Sequence, residues 1–184
     1  MRQDRIRWNK KYADRGRADE APSDIVRRFN GLVRPGLALD IAAGDGRDAF
    51  YLARRGFEVV AADISDTALA GLAGRHERLY PLCVDLDFFD IPENRFRLII
   101  NIRFLNRRLY PWIIDGLALG GLLIFETYID FPSNKARRRS RDYSLDEGEL
   151  LRVFSPLHIL YYEETTQQTD EGAARLASLA AVKR

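Results

Sequence analysis

The sequence predicts an α/β fold built on a mixed seven-stranded sheet with helices on both faces. Three observations predict it. Short apolar runs alternate with helical segments five times from Leu37 to Thr127. The first run, Leu37-Ala38-Leu39-Asp40-Ile41, is too continuously apolar for a half-exposed strand and reads as one buried on both sides. The chain then closes on two segments of strand pattern, Leu157 to Glu163 and Ala173 to Val182, joined by a polar stretch short enough for an antiparallel hairpin.

Taken in order, Arg5 to Tyr12 reads as a short helix with Trp8 and Tyr12 four apart on one face, and the polar stretch Ala13 to Glu20 follows it. Residues 1–22 are therefore expected to form an N-terminal helical flap on a single domain spanning 1–184. Ser23 caps a helix to Phe29, and Pro35-Gly36 turns the chain into the first strand. Gly44 and Gly46 follow that strand, giving a loop whose backbone can turn sharply and approach a ligand closely. A helix with Ala49, Phe50, Leu52 and Ala53 on its apolar side runs on to Arg54-Arg55-Gly56, and a second strand from Glu58 ends at Asp63. Ser65 caps the next helix; strands are expected from Arg78 to Val84 and from Phe96 to Ile102. Arg107 to Leu117 reads as a helix, Leu122 to Thr127 as a fifth buried strand, and Tyr128 to Tyr143 as an irregular basic loop. Ser144-Leu145-Asp146-Glu147 has the form of a capping box opening a helix to about Phe154.

The chain has 184 residues, enough for one domain with a substantial core. It has no apolar run long enough to cross a bilayer, and the charged start Met1 to Trp8 does not resemble a secretory signal, so the cytosol is expected. The single cysteine, Cys83, is expected as a buried strand residue; one cysteine and two histidines, His76 and His158, cannot assemble a zinc site of the usual kind. A net charge of +2 is too mild to argue for nucleic acid. Lys135, Arg137, Arg138, Arg139 and Arg141 concentrate charge on what reads as a solvated surface loop.

The strand–loop–helix–strand unit from Leu37 to Asp63 is suited to a nucleoside, since an acid ending the second strand can accept both hydrogen bonds of a ribose diol. Gly44-x-Gly46-x-x-Ala49 also satisfies the dinucleotide fingerprint, so a nicotinamide cofactor is an alternative. Charge separates the two. Asp40 and Asp45 around the loop would repel a pyrophosphate and suit the sulfonium and ammonium of S-adenosylmethionine. Asp45 also has a plainer role at the positive end of the following helix. No tyrosine–lysine pair accompanies the loop as an oxidoreductase would want.

Leu39-Asp40-Ile41-Ala42-Ala43-Gly44-Asp45-Gly46-Arg47, with Asp63, resembles the first two motifs of class I S-adenosylmethionine-dependent methyltransferases, which have a Rossmann-like sheet. Cys83-Val84-Asp85-Leu86-Asp87, Phe96 to Arg107 and Gly120 to Thr127 extend the resemblance. Trp8-x-x-x-Tyr12, Gly46-Arg47, Arg103-Phe104-Leu105 and Glu126-Thr127 are most similar to the small tellurite-resistance-type group of that family. The resemblance implies Asp40, Ala42 and Gly44 around the methionine part of the cofactor and Asp63 on its ribose. It further implies Ile64 against the adenine, Asp85 and Leu86 at its edge, and Asn101 beneath the sulfonium. Ile64 and Leu86 also read as plain core. Arg47 would meet the methionine carboxylate or a substrate anion.

Three positions depart from the family pattern: Ala42-Ala43 for glycine and a small residue, Asn106 for a frequent histidine, and Leu119 for a common proline. The expected activity is in-line methyl transfer to a small, anionic molecule, with alignment and water exclusion in place of a dedicated base. Arg103, and with less weight Arg107, would line the acceptor pocket, and Trp8 and Tyr12 would close over it. Adenine methylation in nucleic acid is not expected, because Asn101-Ile102-Arg103-Phe104 lacks the Asn/Asp-Pro-Pro-aromatic signature. A non-catalytic module using the basic loop on RNA remains a further reading.

Overall fold

A computed structural model describes residues 2–15, 21–130, 144–169 and 172–184. The basic run from Lys135 to Arg141 lies outside the described residues, as do positions 16–20 of the expected flap. Among the described residues no helix is long and apolar enough to cross a membrane.

The elements are α1 (Arg2–Arg15), α2 (Asp24–Phe29), β1 (Leu37–Ile41), α3 (Arg47–Arg54), β2 (Glu58–Asp63), α4 (Asp66–Ala70), β3 (Leu79–Cys83), β4 (Phe96–Ile102), α5 (Leu109–Gly116), β5 (Leu117–Asp130), α6 (Glu149–Val153), β6 (His158–Thr169) and β7 (Gly172–Val182). A 3-10 turn, Asn30–Leu32, follows α2. The strands form one seven-stranded sheet in the order β3-β2-β1-β4-β5-β7-β6. β1 to β5 pair in parallel, and β7 runs antiparallel to both β5 and β6. The expected mixed seven-stranded sheet with its closing hairpin is the observed one.

Alternation along the central strands divides the core in two. Leu39, Ile99, Leu123 and Phe125 point into a cluster with Leu109, Tyr110 and Ile113 of α5 and Leu150 of α6. Ala38, Leu98, Ile100, Leu122 and Ile124 point the other way, onto Ile25 and Val26 of α2, Ala49, Leu52 and Ala53 of α3, and Leu69 of α4. Burial on both faces explains why these strands read as continuous apolar runs. The sequence direction reverses between β1 and β4, whose Ile41 and Asn101 are register partners at the carboxyl ends. In an open α/β sheet this reversal leaves a crevice, because the connections from the two strands depart to opposite sides.

Several details differ from the sequence expectations. Cys83 is exposed, because β3 is an edge strand with only Leu79 fully buried. The capping box at 144–147 is displaced: α6 begins at Glu149 after a left-handed Gly148, and Glu149 Oε2 accepts the amide of Asp146 at 2.9 Å. The reciprocal acid thus belongs to an Asp146-x-x-Glu149 spacing, and α6 is a single turn. Ser23 precedes α2 but its side chain does not cap it; the hydroxyl donates to Asp48 Oδ2 at 2.8 Å instead. Ser65 does cap α4, accepting the amide of Ala68 at 3.1 Å. β5 extends well beyond 122–127 in both directions, and β6 runs on through the polar residues to Thr169.

Candidate functional site

The crevice between β1 and β4 is walled by the loop after β1. Its backbone is left-handed at Ala42 (φ 57°), Gly44 (φ 58°) and Gly46 (φ 74°). The two glycines accept that geometry without the side-chain clash other residues meet, and Gly46 leads directly into α3. The amide of Gly46 donates to Ala43 O at 2.9 Å, closing the turn.

Two carboxylates brace this loop. Asp63, at the end of β2, accepts the amide of Gly44 on Oδ2 at 2.8 Å and that of Ser65 on Oδ1 at 2.8 Å. Burial pushes its pKa up, and those two N–H groups work against the shift. A carboxylate has acceptor sites beyond those two amides, so the group can take a hydrogen bond from a diol. Asp40, buried beneath α3, has its pKa raised well above the ordinary range by burial and then by the nearby Asp48 and Asp63; the amide of Ala49 and the charge of Arg47 oppose this. A cation entering the crevice relieves that accumulation of negative charge, and a phosphate would add to it.

Arg47 opens α3 and reaches across to α2, donating from Nη2 to Ser23 Oγ at 2.9 Å, with Nε 3.6 Å from Asp48. Asp48 in turn accepts the amide of Ser23 at 2.6 Å. The sequence analysis does not single out Asp48, and this latch between α2 and α3 has no local sequence signal, because its partners lie about 25 residues apart.

The N-terminal helix covers the same end of the sheet. Trp8 and Tyr12 stack with ring centroids 6.0 Å apart, and the Lys11 ammonium lies 4.3 Å from the Trp8 ring. Asn9 donates to Asp66 at 2.6 Å and accepts from Ser65 Oγ at 2.7 Å, and Arg5 pairs with Asp66. α1 is thereby fastened to the cap and start of α4, two and three residues beyond Asp63. The Tyr12 hydroxyl lies directly over Gly44, where any larger residue would place its Cβ.

The remaining positions singled out for the cofactor divide between loop and core. Asp85 is half-buried and accepts the amide of Asp87 at 3.0 Å, shaping the turn after β3. Ile64 is half-buried between Asp63 and Ser65, whereas Leu86 is buried in the core cluster. Asn101 is buried at the end of β4, and its Nδ2 donates to Phe104 O at 2.7 Å, holding the following turn closed. Asn106 donates from Nδ2 to Asp87 Oδ1 at 2.9 Å, tying the segment after β4 to the turn after β3.

Of the two pocket arginines, Arg107 is committed to structure. Its Nε and Nη2 grip Glu149 at 2.8 and 2.7 Å, and Nη2 also meets Ser144 O. Tyr110 donates to the same carboxylate at 3.0 Å. Burial would raise Glu149, yet these donors hold its pKa below the ordinary value; burial and the adjacent carboxylate raise Tyr110.

Arg103 is different. It takes a left-handed backbone (φ 60°), which a side chain of its size rarely adopts, and its amide donates to Glu126 O at 2.7 Å. Its Nη2 lies 3.1 Å from Glu126 Oε1, and its guanidinium carbon stands 4.9 Å from the centre of the Tyr128 ring. Nη1 is buried with no hydrogen-bond partner, the one such side-chain nitrogen or oxygen among the described residues.

Residues 38–111 match the family model of a methyltransferase domain. A comparison with curated protein sequences finds no match. Among solved structures, TehB from Haemophilus influenzae superposes with a TM-score of 0.75 at 19% identity, over 96% of this chain and 67% of that one. An S-adenosylmethionine-dependent methyltransferase from Mesorhizobium loti gives 0.69 at 18% identity, over 86% and 95%. Phosphoethanolamine N-methyltransferase 2 from Haemonchus contortus, solved with phosphomonomethylethanolamine and S-adenosylhomocysteine, gives 0.69 at 15% identity, over 86% of this chain and 51% of that one. At these identities the likeness concerns the fold.

Proposed function

We propose that the chain is a class I S-adenosylmethionine-dependent methyltransferase that methylates a small anionic molecule by in-line transfer, a reading supported by the methyltransferase-domain model matched over residues 38–111 and by the likeness in fold to a solved methyltransferase. The observation that supports a polar, anionic acceptor is the buried, unpartnered Nη1 of Arg103, the residue that follows the carboxyl end of β4, where acceptors enter such sheets. A donor left unsatisfied in a buried place costs free energy that a bound oxygen would recover. A small acceptor also accords with the Haemonchus neighbour, which was solved with the small molecule phosphomonomethylethanolamine. The methyltransferase-domain model matched from β1 to the start of α5 supports S-adenosylmethionine over a nicotinamide cofactor.

The cofactor supplies an activated methyl group on a sulfonium, so the protein's work is placement. Asp63 would hold the ribose diol through the lone pairs that Gly44 and Ser65 leave open. Asp40 and the left-handed turn from Ala42 to Gly46 would face the methionine part, and Asn101 the sulfonium. Ile64, Asp85 and Leu86 would border the adenine, with Leu86 acting from within the core. Arg47 braces α2 and would also meet the methionine carboxylate or a substrate anion. Trp8 and Tyr12, carried by α1, would exclude water, and residues 1–22 would act as the flap within one domain. Arg107 would contribute by fixing α6 against α5, one step removed from the acceptor. The cytosol is the expected setting.

The test is transfer of labelled methyl from S-adenosylmethionine to a panel of small carboxylates, phenols, thiols and amines. Transfer to at least one acidic acceptor, with KM raised at least about tenfold in Arg103→Met and cofactor Kd unchanged, supports the reading. Equal loss of cofactor and acceptor binding in that variant contradicts it.

A further inference from the structure

Resting on that methyltransferase reading, we infer that Glu126 sets the charge of the acceptor: with Arg103 it forms a net-neutral donor that selects a singly charged oxygen, such as a carboxylate, over a phosphate dianion. Glu126 lies within the buried stretch of β5, and its own carboxylate is only 10% exposed. One oxygen lies against Arg103 Nη2 at 3.1 Å and the other accepts Ser178 Oγ–H at 2.7 Å. Ser178 is its direct cross-strand partner on β7, so the register fixes the carboxylate in place. The backbone repeats the connection, since the Arg103 amide donates to Glu126 O at 2.7 Å.

Three consequences follow from this geometry. The guanidinium plane is held at one edge by Glu126 and at one face by Tyr128, leaving Nη1 as a donor of fixed direction. Nη1 brings two N–H groups on one nitrogen, a compact donor that suits the oxygens of one small acid. The charge of Arg103 is largely cancelled at close range, which removes the advantage an isolated arginine would give to a second negative charge. The sequence places Arg103 in the lining of an anion's pocket, and Glu126 takes away most of the field an isolated arginine would give there. The left-handed backbone at Arg103 is a cost that persists because these contacts over-determine the position. Glu126 is thus a positioning residue for Arg103 and the determinant of charge selectivity.

The experiment is calorimetric titration of the full chain at pH 8 with benzoate, benzamide and phenylphosphate, each with and without saturating S-adenosylhomocysteine. Phenylphosphate is a dianion at that pH, its second pKa being about 6. The wild type is expected to bind benzoate at least about tenfold more tightly than either other probe. Glu126→Gln, which keeps the shape and restores the net positive charge, is expected to improve phenylphosphate relative to benzoate by at least about tenfold. Arg103→Met should abolish binding of both anions, while Ser178→Ala, which leaves both charges in place, should keep the wild-type ranking. All variants should bind S-adenosylhomocysteine with unchanged Kd, which also shows that they are folded. If Glu126→Gln does not fold, the wild-type ranking and Arg103→Met decide alone. A wild type that binds phenylphosphate or benzamide as well as benzoate, binds none of the three, or keeps its anion binding in Arg103→Met overturns the inference. Failure of S-adenosylhomocysteine itself to bind would instead overturn the methyltransferase reading, because the anion ranking is read with and without it.

Discussion

The amide of Gly44 donates to Asp63 Oδ2 at 2.8 Å, so the turn after β1 is held shut by the acid that ends β2. The other oxygen of the same carboxylate takes the amide of Ser65. Asp63 therefore shapes the crevice as well as facing it. Asp63→Ala leaves two buried amides without an acceptor and is expected to lower unfolding free energy by about 2–4 kcal/mol. Urea denaturation measures this; a loss below about 0.5 kcal/mol would show that the two bonds do not hold the loop.

Gly44 also meets the N-terminal helix. A Cβ at this position would strike the Tyr12 hydroxyl, and the backbone φ of 58° is itself unfavourable for a side chain. Gly44→Ala should therefore destabilise by about 1–3 kcal/mol. Adding Tyr12→Phe to Gly44→Ala should recover the steric share while the backbone share stays. A double-mutant cycle measures the coupling, expected at about 0.5–2 kcal/mol. Additive effects would mean that α1 does not press on the loop.

Asp40 gives a pH dependence of definite sign. Its folded pKa is raised, first by burial and then by Asp48 and Asp63, so ionising it costs the folded state more than the unfolded chain. That cost is absent below the unfolded carboxylate range near about 4 and grows as pH rises toward the folded pKa. Asp40→Asn keeps an acceptor for the amide of Ala49 but cannot ionise. The variant is expected to match the wild type below about pH 4 and to be the more stable above it. A stability difference independent of pH would show that Asp40 ionises freely.

Much of this was legible before any coordinates. The continuous apolar runs of β1, β4 and β5 announced strands buried on both faces, and the glycines with strand-terminal acids announced the crevice. Sequence could not show where the edge of the sheet falls, because edge position depends on strand order and not on local pattern. Cys83 was misjudged for that reason. Nor could it show partners far apart in the chain. The pairs Arg103 with Glu126 and Arg107 with Glu149 turn two arginines that looked alike into a donor with an open N–H and a structural clamp. The left-handed backbone of Arg103 had no signal at all, since glycine is the residue that advertises it.

The corrected position of Cys83 is itself testable. Its thiol is exposed on the outer edge of β3, with Sγ 3.7 Å from Ile64 O. One thiol per chain should react with a disulfide reagent in the native protein, as fast as in denaturant within about tenfold. Reaction only after unfolding would return Cys83 to the core.

The central claim is that the crevice between β1 and β4 holds S-adenosylmethionine through Asp63. Calorimetric titration with S-adenosylhomocysteine, repeated on Asp63→Ala and set against NADH, tests it most directly. Binding in the micromolar range, weakened at least about 100-fold in the variant and absent for NADH, is the predicted result. Binding of NADH in place of S-adenosylhomocysteine, or undiminished affinity in Asp63→Ala, would contradict it.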